Sequence, residues 1–371
     1  MPARCREIFR LIEGLFPPEI AEEWDNCGLQ VGNPQKIADR VLLALDMDEE
    51  VLDEALELKA GLVITHHPLL LKGIKQIRED RLPGRLISKI IRAGITVYSA
   101  HTNLDSAGSG VNTVLAETLG LTDIVVLKPG KEKFLKLAVF VPVDYCDQVR
   151  EALAGAGAGW IGNYSHCTFM SGGTGTFKPM EDANPYVGRA GELEKVDEIR
   201  VETILPARIT GSVIEAMLAA HPYEEVAYDL YPLENKSASS GLGRVGKLQE
   251  AVSLNEFALK VKELLEVPAV RCGGTDGGKI QKVAVCGGSG GDLWPLAMNA
   301  GADVLVTGDV GYHAARDMLA AGISFVDAGH YGTERIVLGP LARRLADGCA
   351  ESNLEVEFIV SSVDGNPFRF K

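Results

Sequence analysis

Four short apolar runs in this chain each end abruptly in a cluster of polar side chains. Leu62-Val63-Ile64 runs into Thr65-His66-His67-Pro68, and Ile95 to Ala100 runs into His101-Thr102-Asn103-Leu104-Asp105. Val304-Leu305-Val306 leads to Thr307-Gly308-Asp309, and Ile323-Ser324-Phe325-Val326 leads to Asp327-Ala328-Gly329-His330, with Glu334 four residues on. Continuous apolar runs of this length predict strands buried on both faces, as in parallel sheets. Helical spacing fills the gaps, over Glu49 to Lys59, Leu86 to Ala93, Val111 to Leu119 and Asp292 to Ala300; Val41 to Asp46 and Val283 to Cys286 predict further strands. The alternation predicts an α/β fold with a mostly parallel sheet and right-handed crossovers. Ligands in such sheets bind outside the carboxyl ends of the strands, so the four polar termini are expected to line one crevice.

The texture changes near Lys128-Pro129-Gly130. Leu135 to Val141 alternates as a strand, Asp144 to Ala156 is helical, Val196 to Leu205 alternates again, Ile209 to Ala220 is helical, and Val226 to Tyr231 is a strand. Strand-helix-strand, repeated once, is the pattern of a ferredoxin-like split βαβ unit. Between the halves, Tyr164 to Gly191 is rich in Gly, Ser and Thr and predicts a hairpin or long loop. After the polar stretch from Glu234 to Ser240 the first texture resumes. One discontinuous domain over 1–127 and 236–371, of mostly parallel or mixed sheet, is therefore expected to carry an inserted α+β domain over 128–235.

Composition narrows the classes. The length of 371 residues suits two domains. A formal net charge of −14, with no cluster of Lys and Arg, argues against non-specific nucleic-acid binding. Ile8, Leu11, Ile12, Leu15 and Phe16 have the spacing of an amphipathic helix, not the continuous core of a signal peptide. No apolar run approaches the length of a membrane span. The seven cysteines are scattered, odd in number and never in a Cys-x-x-Cys pair, which points to reduced thiols in a cytoplasmic protein.

Neighbours on a strand face opposite ways, so His66 and His67 reach one site only where the strand has ended. Pro68 supports that ending, because it keeps His67 extended or in a turn and removes a ladder donor. His330 and Glu334 lie on one face if a helix begins near Gly329, and Asp105 adds a second carboxylate. Singly, each reads as a structural polar residue or a cap; together, three imidazoles and two carboxylates at strand ends point to metal. Five N/O ligands exceed the three usual at a single catalytic zinc and suit two ions sharing carboxylates. The imidazoles favour Zn, Mn, Fe, Co or Ni over Cu(I), Mg or Ca. His101, Asp309 and His313 are candidates for supporting the ligands or for acid–base work; Asp309 and His313, four apart, equally suit an ordinary helix-start contact.

Gly287-Gly288-Ser289-Gly290-Gly291 follows a strand and precedes a helix, a context in which backbone amides cradle an anion. Gly288 and Ser289 are thus candidate substrate contacts, although the Lys-Ser/Thr of a P-loop is missing. Gly241-x-Gly243-x-x-Gly246 matches the dinucleotide fingerprint only formally, since polar residues precede it. Arg244 and Arg335 are candidate substrate clamps. Trp24, beside Asp25-Asn26, suits either a pocket wall or a packed aromatic next to an Asx turn.

Taken together, Glu23-Trp24-Asp25-Asn26-x-Gly28-Leu29, Thr65-His66-His67-Pro68, Ala100 to Asp105, Gly110-Val111-Asn112, Cys286 to Gly290, Thr307-Gly308-Asp309 and Asp327-Ala328-Gly329-His330-x-x-x-Glu334 resemble the NGG-one-interacting factor three-like family. Its bacterial members are called GTP cyclohydrolase I type 2 homologues. The likeness covers both flanking segments nearly end to end. The middle segment, with His221-Pro222-Tyr223-Glu224-Glu225, resembles the extra domain of the longer bacterial members, similar in fold to PII and CutA-type proteins. The resemblance implies two divalent metal ions on His66, His67, Asp105, His330 and Glu334, none of which departs from the family pattern, and a homohexameric ring with its sites facing an internal cavity.

The leading expectation is a metal-dependent hydrolase of nucleotide-like small molecules. In its cyclohydrolase form the attacked atom is C8 of guanine, and His101 or His313 protonates the leaving nitrogen; phosphoester hydrolysis needs the same site with less proton traffic. A second reading is a regulatory or metal-binding protein without turnover, whose insert senses a ligand or docks a partner. A third is a scaffold with vestigial metals.

Overall fold

The computed structural model describes residues 2–235, 237, 239–274 and 278–371. It divides into two compact units, Met1–Gly130 with Ala238–Lys371, and Lys131–Ser237. The first unit opens with strands β1 (Gly28–Val31), β2 (Arg40–Ala44), β3 (Leu62–Thr65), β4 (Thr96–Ser99) and β5 (Thr122–Pro129). The second holds β6 (Phe134–Pro142), β7 (Thr168–Phe177), β8 (Glu194–Pro206) and β9 (Tyr228–Leu233). The chain then returns with β10 (Gly241–Ser253), β11 (Arg271–Gly273), β12 (Lys279–Val285), β13 (Val304–Thr307), β14 (Ser324–Asp327) and β15 (Glu357–Val360).

The first unit contains two mixed sheets, not the single mostly parallel one that the alternation predicts. One runs β1-β4-β3-β2-β15 and the other β11-β14-β13-β12-β10-β5. Within them β4-β3-β2-β15 and β12-β13-β14 are parallel, while β1, β5, β10 and β11 pair antiparallel. Apolar runs reveal that a strand is buried, but not which edges meet. The crevice therefore draws its four polar strand ends two from each sheet.

Alternation sorts the side chains of each buried strand between two cores. From β2 and β3, Val41, Leu43, Leu62 and Ile64 pack with the helices Cys5–Leu15 and Leu338–Glu351. Leu42, Ala44 and Val63 pack on the other face with the helices Glu49–Glu57 and Gly84–Ala93. In the second sheet, Val304 and Val306 share a core with the helix Leu254–Leu264, and Leu305 faces Ala297 and Met318. Two-faced burial removes any solvent-facing side from these strands, leaving their carboxyl ends as the exits for polar residues.

Local chemistry fixes where the elements stop. Asp48 caps the helix Glu49–Glu57 by accepting from Val51 N–H at 2.8 Å, and Ser253 with Glu256 forms a capping box that turns β10 into the helix Leu254–Leu264. The dinucleotide-like glycines sit inside β10. A Cβ on Gly241 would lie 2.2 Å from the Lys128 carbonyl oxygen and one on Gly246 would lie 2.8 Å from that of Thr122. These glycines let β10 press against β5.

In the second unit the sheet order is β7-β8-β6-β9, antiparallel throughout. The helices Cys146–Gly155 and Thr210–Ala220 cover one face, packing Val149, Leu153, Val213 and Met217 on Leu137, Val139 and Val201. The Gly-rich stretch after Tyr164 forms β7, a full edge strand. No helix among the described residues is long and apolar enough to cross a membrane.

Candidate metal centre

Each site residue leaves its sheet at a strand end. β3 stops at Thr65, and the next two amides still follow β2, His66 N–H donating to Ala44 O at 3.1 Å and His67 N–H to Leu45 O at 2.8 Å. Both imidazoles thereby clear the sheet. Beyond β4, His101 precedes the short helix Thr102–Ser106, which carries Asp105. Beyond β14, Gly329 begins the one-turn helix His330–Glu334, whose ends share a face.

These termini converge. His66 Nε2 lies 3.6 Å from Asp105 Oδ1 and 3.7 Å from Glu334 Oε1. His67 Nε2 lies 3.1 Å from Glu334 Oε2, and His330 Nε2 lies 3.2 Å from the same oxygen. The two Nε2 atoms of His67 and His330 are 3.2 Å apart. Ligand atoms of His66, Asp105 and Glu334 form one group able to hold a metal ion, those of His67, His330 and Glu334 a second, and those of His66, His67 and His101 a third.

The outward ring nitrogens decide which atoms face inward. His66 Nδ1 lies 2.9 Å from Ala100 O, His67 Nδ1 2.9 Å from Asp46 Oδ1, His101 Nδ1 2.8 Å from Asp25 Oδ1 and His330 Nδ1 2.7 Å from Asp309 Oδ2. Every outward nitrogen thus faces an acceptor for its proton, and Nε2 is left to face the centre, the orientation of metal-bound histidines. Inside, His66 Nε2, Asp105 Oδ1 and Glu334 Oε2 are buried without a hydrogen-bond partner. Orphaned acceptors are costly in a protein interior. A cation in the group of His66, Asp105 and Glu334 answers the first two, and one in the group of His67, His330 and Glu334 answers the third, so the residues fit metal.

Protonation follows the same logic. Burial works against charge on His67, but the carboxylates of Asp46 and Glu334 prevail and raise its pKa to about 10. The Glu334 hydrogen bond, opposed by burial, raises His330 to about 9. Burial lifts Asp105 to about 6 against the pull of His66. Glu334 goes the other way: despite burial, His66, His330 and His67 hold it well below the usual carboxylate range. At neutral pH the metal-free centre stores protons on His67 and His330, and a metal must displace them. Zinc titrated into stripped protein at pH 8 should release protons, and its affinity should climb about tenfold per pH unit for each proton displaced until pH passes about 9 to 10. Calorimetry in two buffers of different ionisation enthalpy measures that release. In the metal-free protein the raised values stabilise the fold fully below the ordinary histidine pKa, and that share fades as pH rises through about 9 to 10.

The other candidates divide. His101 belongs to the centre, its ring 5.2 Å from that of His66 and 5.6 Å from that of His67. Its partner Asp25 is fully buried; against that burial, hydrogen bonds from His101, Cys27 and Thr102 hold its carboxyl well below the usual range. Trp24 stands edge-on to His101 with its own side chain exposed. Asp309 supports His330. His313 does not join: it is exposed on the helix Tyr312–Ala321, beside Tyr312. Arg335 pairs with Glu266 at 2.7 Å and lines a smaller neighbouring cavity. Arg244 is no clamp. It is 2% exposed, and its guanidinium donates to Thr113 Oγ1 and to the carbonyls of Ala107, Gly241 and Gly243.

The glycine loop also differs from expectation. Gly287 N–H donates to Asn112 Oδ1, Gly288 N–H to Thr333 Oγ1 and Gly290 N–H to Thr307 Oγ1, so these amides are engaged and do not form an anion cradle; Ser289 is exposed at the tip. Gly288 has φ +64°, and a Cβ there would lie 2.2 Å from Glu334 Oε1. Glycine is what the carboxylate's position demands. Asp46 and the tail Gly365 to Phe370 escaped the sequence reading. Asp46 ends the β2 run, a signal available there, whereas no motif marks the tail. Both line a cavity of about 710 Å³ with His67, His330, Tyr331 and Arg271.

Residues 3–367 match the family described as Duf34/NIF3 (NGG1p interacting factor 3). A protein named GTP cyclohydrolase 1 type 2 homolog from Halalkalibacterium halodurans is 47% identical, covering 99% of each chain. Its namesake from Bacillus subtilis is also 47% identical, covering 98% of each. Among solved structures, a Bacillus cereus protein related to NIF3 superposes with a TM-score of 0.93 at 45% identity, covering 100% of both chains.

Proposed function

Because this chain belongs to the Duf34/NIF3 family, we propose that its centre holds two divalent transition-metal ions, of Zn, Fe, Mn, Co or Ni, and hydrolyses nucleotide-like small molecules. The observation that carries this reading is the set of orphaned buried acceptors, His66 Nε2, Asp105 Oδ1 and Glu334 Oε2, inside a ring of histidines whose outer nitrogens are already engaged. Glu334 would be the shared ligand, with Oε1 toward His66 and Asp105 and Oε2 toward His67 and His330. Two ions in such a site acidify water and steady developing negative charge.

The chain's own residues supply the rest. His101, held by Asp25 through Nδ1, presents Nε2 as the group that moves a proton, in the cyclohydrolase version to the leaving nitrogen at C8 of guanine. Arg271 and Arg369 share a cavity wall with His67 and His330 and would meet an anionic substrate there by exchanging their present partners, Asp327 and Asp364. The name carried by the relatives supports the cyclohydrolase version over phosphoester hydrolysis. We read the first unit as a discontinuous domain and the second as an inserted ferredoxin-like, PII/CutA-like domain, a reading supported by its strand–helix–strand order and by the sheet order β7-β8-β6-β9. Assembly as a homohexameric ring completes the proposal.

Plasma mass spectrometry on wild type and His67→Ala, with turnover of a nucleotide panel on the same samples, tests the reading. The expected result is about two ions per wild-type chain, with metal and turnover lost together in the variant. Metal without turnover on any nucleotide would favour a regulatory protein, for which the separate cavity in the second unit speaks. Wild type free of metal would end the proposal.

A further inference from the structure

The second unit has a cavity of its own, of about 500 Å³, a size ordinary for small-molecule sites. It lies on the sheet face away from the two helices: Val139, Val141 and Val201 point into the helix-covered core, and alternation sends Phe140 and Glu198 to the opposite face. The segment from Lys178 to Tyr186 supplies the facing wall, and Phe177 and Tyr223 complete the lining. The rings form a cage, with Phe177 5.9 Å and Tyr186 6.1 Å from Tyr223, centroid to centroid.

One buried carboxylate faces this aromatic lining. Glu198 is 9% exposed; Tyr223 donates its hydroxyl to Oε1 at 3.1 Å, and the described residues give Glu198 no ion-pair partner. The chain makes room for it, since a Cβ on Gly175 would lie 2.1 Å from Glu198 Oε2. The nearby imidazole cannot balance the charge. His221 Nδ1 accepts from Tyr223 N–H at 3.1 Å, which leaves Nε2 to donate to Phe140 O at 3.0 Å, and burial lowers its pKa further. His221 is thus a neutral brace for Tyr223. Among charged side chains in the wall, Glu198, Glu224 and Glu225 outnumber Lys178.

A sheltered carboxylate on a cavity wall draws a cation, and aromatic faces attract positive charge. We propose that this cavity binds an organic cation with an apolar body, an alkyl- or arylammonium, its charge set against Glu198 and the faces of Phe177, Tyr186 and Tyr223. An anion would meet Glu198 in a desolvated wall, and a neutral apolar molecule would leave its charge unanswered.

Ligand-observed NMR and calorimetry on the full chain test this with choline and benzyltrimethylammonium. The controls are 3,3-dimethylbutan-1-ol, the uncharged isostere of choline, and phenylacetate. Both cations should bind at least about tenfold more tightly than either control. Glu198→Gln should abolish that preference while metal content and circular dichroism stay unchanged, and Gly175→Ala, which displaces the carboxylate, should do the same. Cations and the neutral isostere binding alike, preference surviving in Glu198→Gln, or no cation binding at millimolar concentration would each overturn the proposal.

Discussion

Glu334→Gln should strip the protein of both of the ions proposed for its centre, whereas Asp105→Asn should cost it only one. The difference comes from geometry: the two Glu334 oxygens face separate groups, Oε1 at 3.7 Å from His66 Nε2 and Oε2 within 3.2 Å of His67 and His330, while Asp105 belongs only to the group with His66. An amide offers one acceptor and brings two donors, so the glutamine places N–H groups where lone pairs are needed. It also removes one of the charges that keep His67 and His330 protonated in the metal-free state, leaving Asp46 and Asp309. Proton release on zinc addition should therefore shrink along with affinity. Metal content after gel filtration reads the result, with about two ions in wild type as reference. A Glu334→Gln protein that keeps both ions, or an Asp105→Asn protein that loses both, would show that Glu334 is not the shared ligand.

Arg244→Met should destabilise the metal-free protein by about 2 to 3 kcal/mol, the order expected when buried acceptors lose a charged donor. Arg244 is almost wholly buried, and burial lowers its pKa to about 10. It ties Ala107, just past the helix that carries Asp105, to the Gly241 and Gly243 carbonyls and to Thr113. Methionine fills much of the volume but leaves three carbonyl oxygens without that donor, each at a cost. Urea unfolding of stripped wild type and variant measures the loss through the midpoint at constant slope. Unchanged stability with a raised KM would restore the substrate-clamp role that the sequence suggested.

Arg244 shows what a sequence withholds. Polar residues at the ends of apolar runs were legible because a strand buried on both faces can place chemistry only at its end, and this brought His66, His67, His101, Asp105, Asp309, His330 and Glu334 to one centre. Arg244 lies within a strand, and two of its four partners, Ala107 and Thr113, come from more than a hundred positions away; no local pattern says whether a guanidinium points to solvent or to carbonyls. The glycine loop misled for a related reason: Asn112, Thr307 and Thr333 engage its amides from distant positions. Pairing was equally hidden, since a run such as Val283 to Cys286 has the same composition whether its neighbour is parallel β13 or antiparallel β10. Asp46 was readable by the strand-end rule and simply went unused.

The first unit takes both of its sheets from both ends of the chain. β15, formed by Glu357–Val360, completes the sheet of β1 to β4, and β5, formed by Thr122–Pro129, completes the sheet of β10 to β14. A nascent chain that has emerged only as far as residue 330 has His66 and His67 but neither Glu334 nor the strand that flanks β2. A metal held by His66, Asp105 and Glu334 would therefore need both halves of the unit, and a fragment cut between the two halves should form neither sheet in full. Any ion seated there would cross-link the segment before the second unit to the segment after it, closing a loop of more than two hundred residues between Asp105 and Glu334.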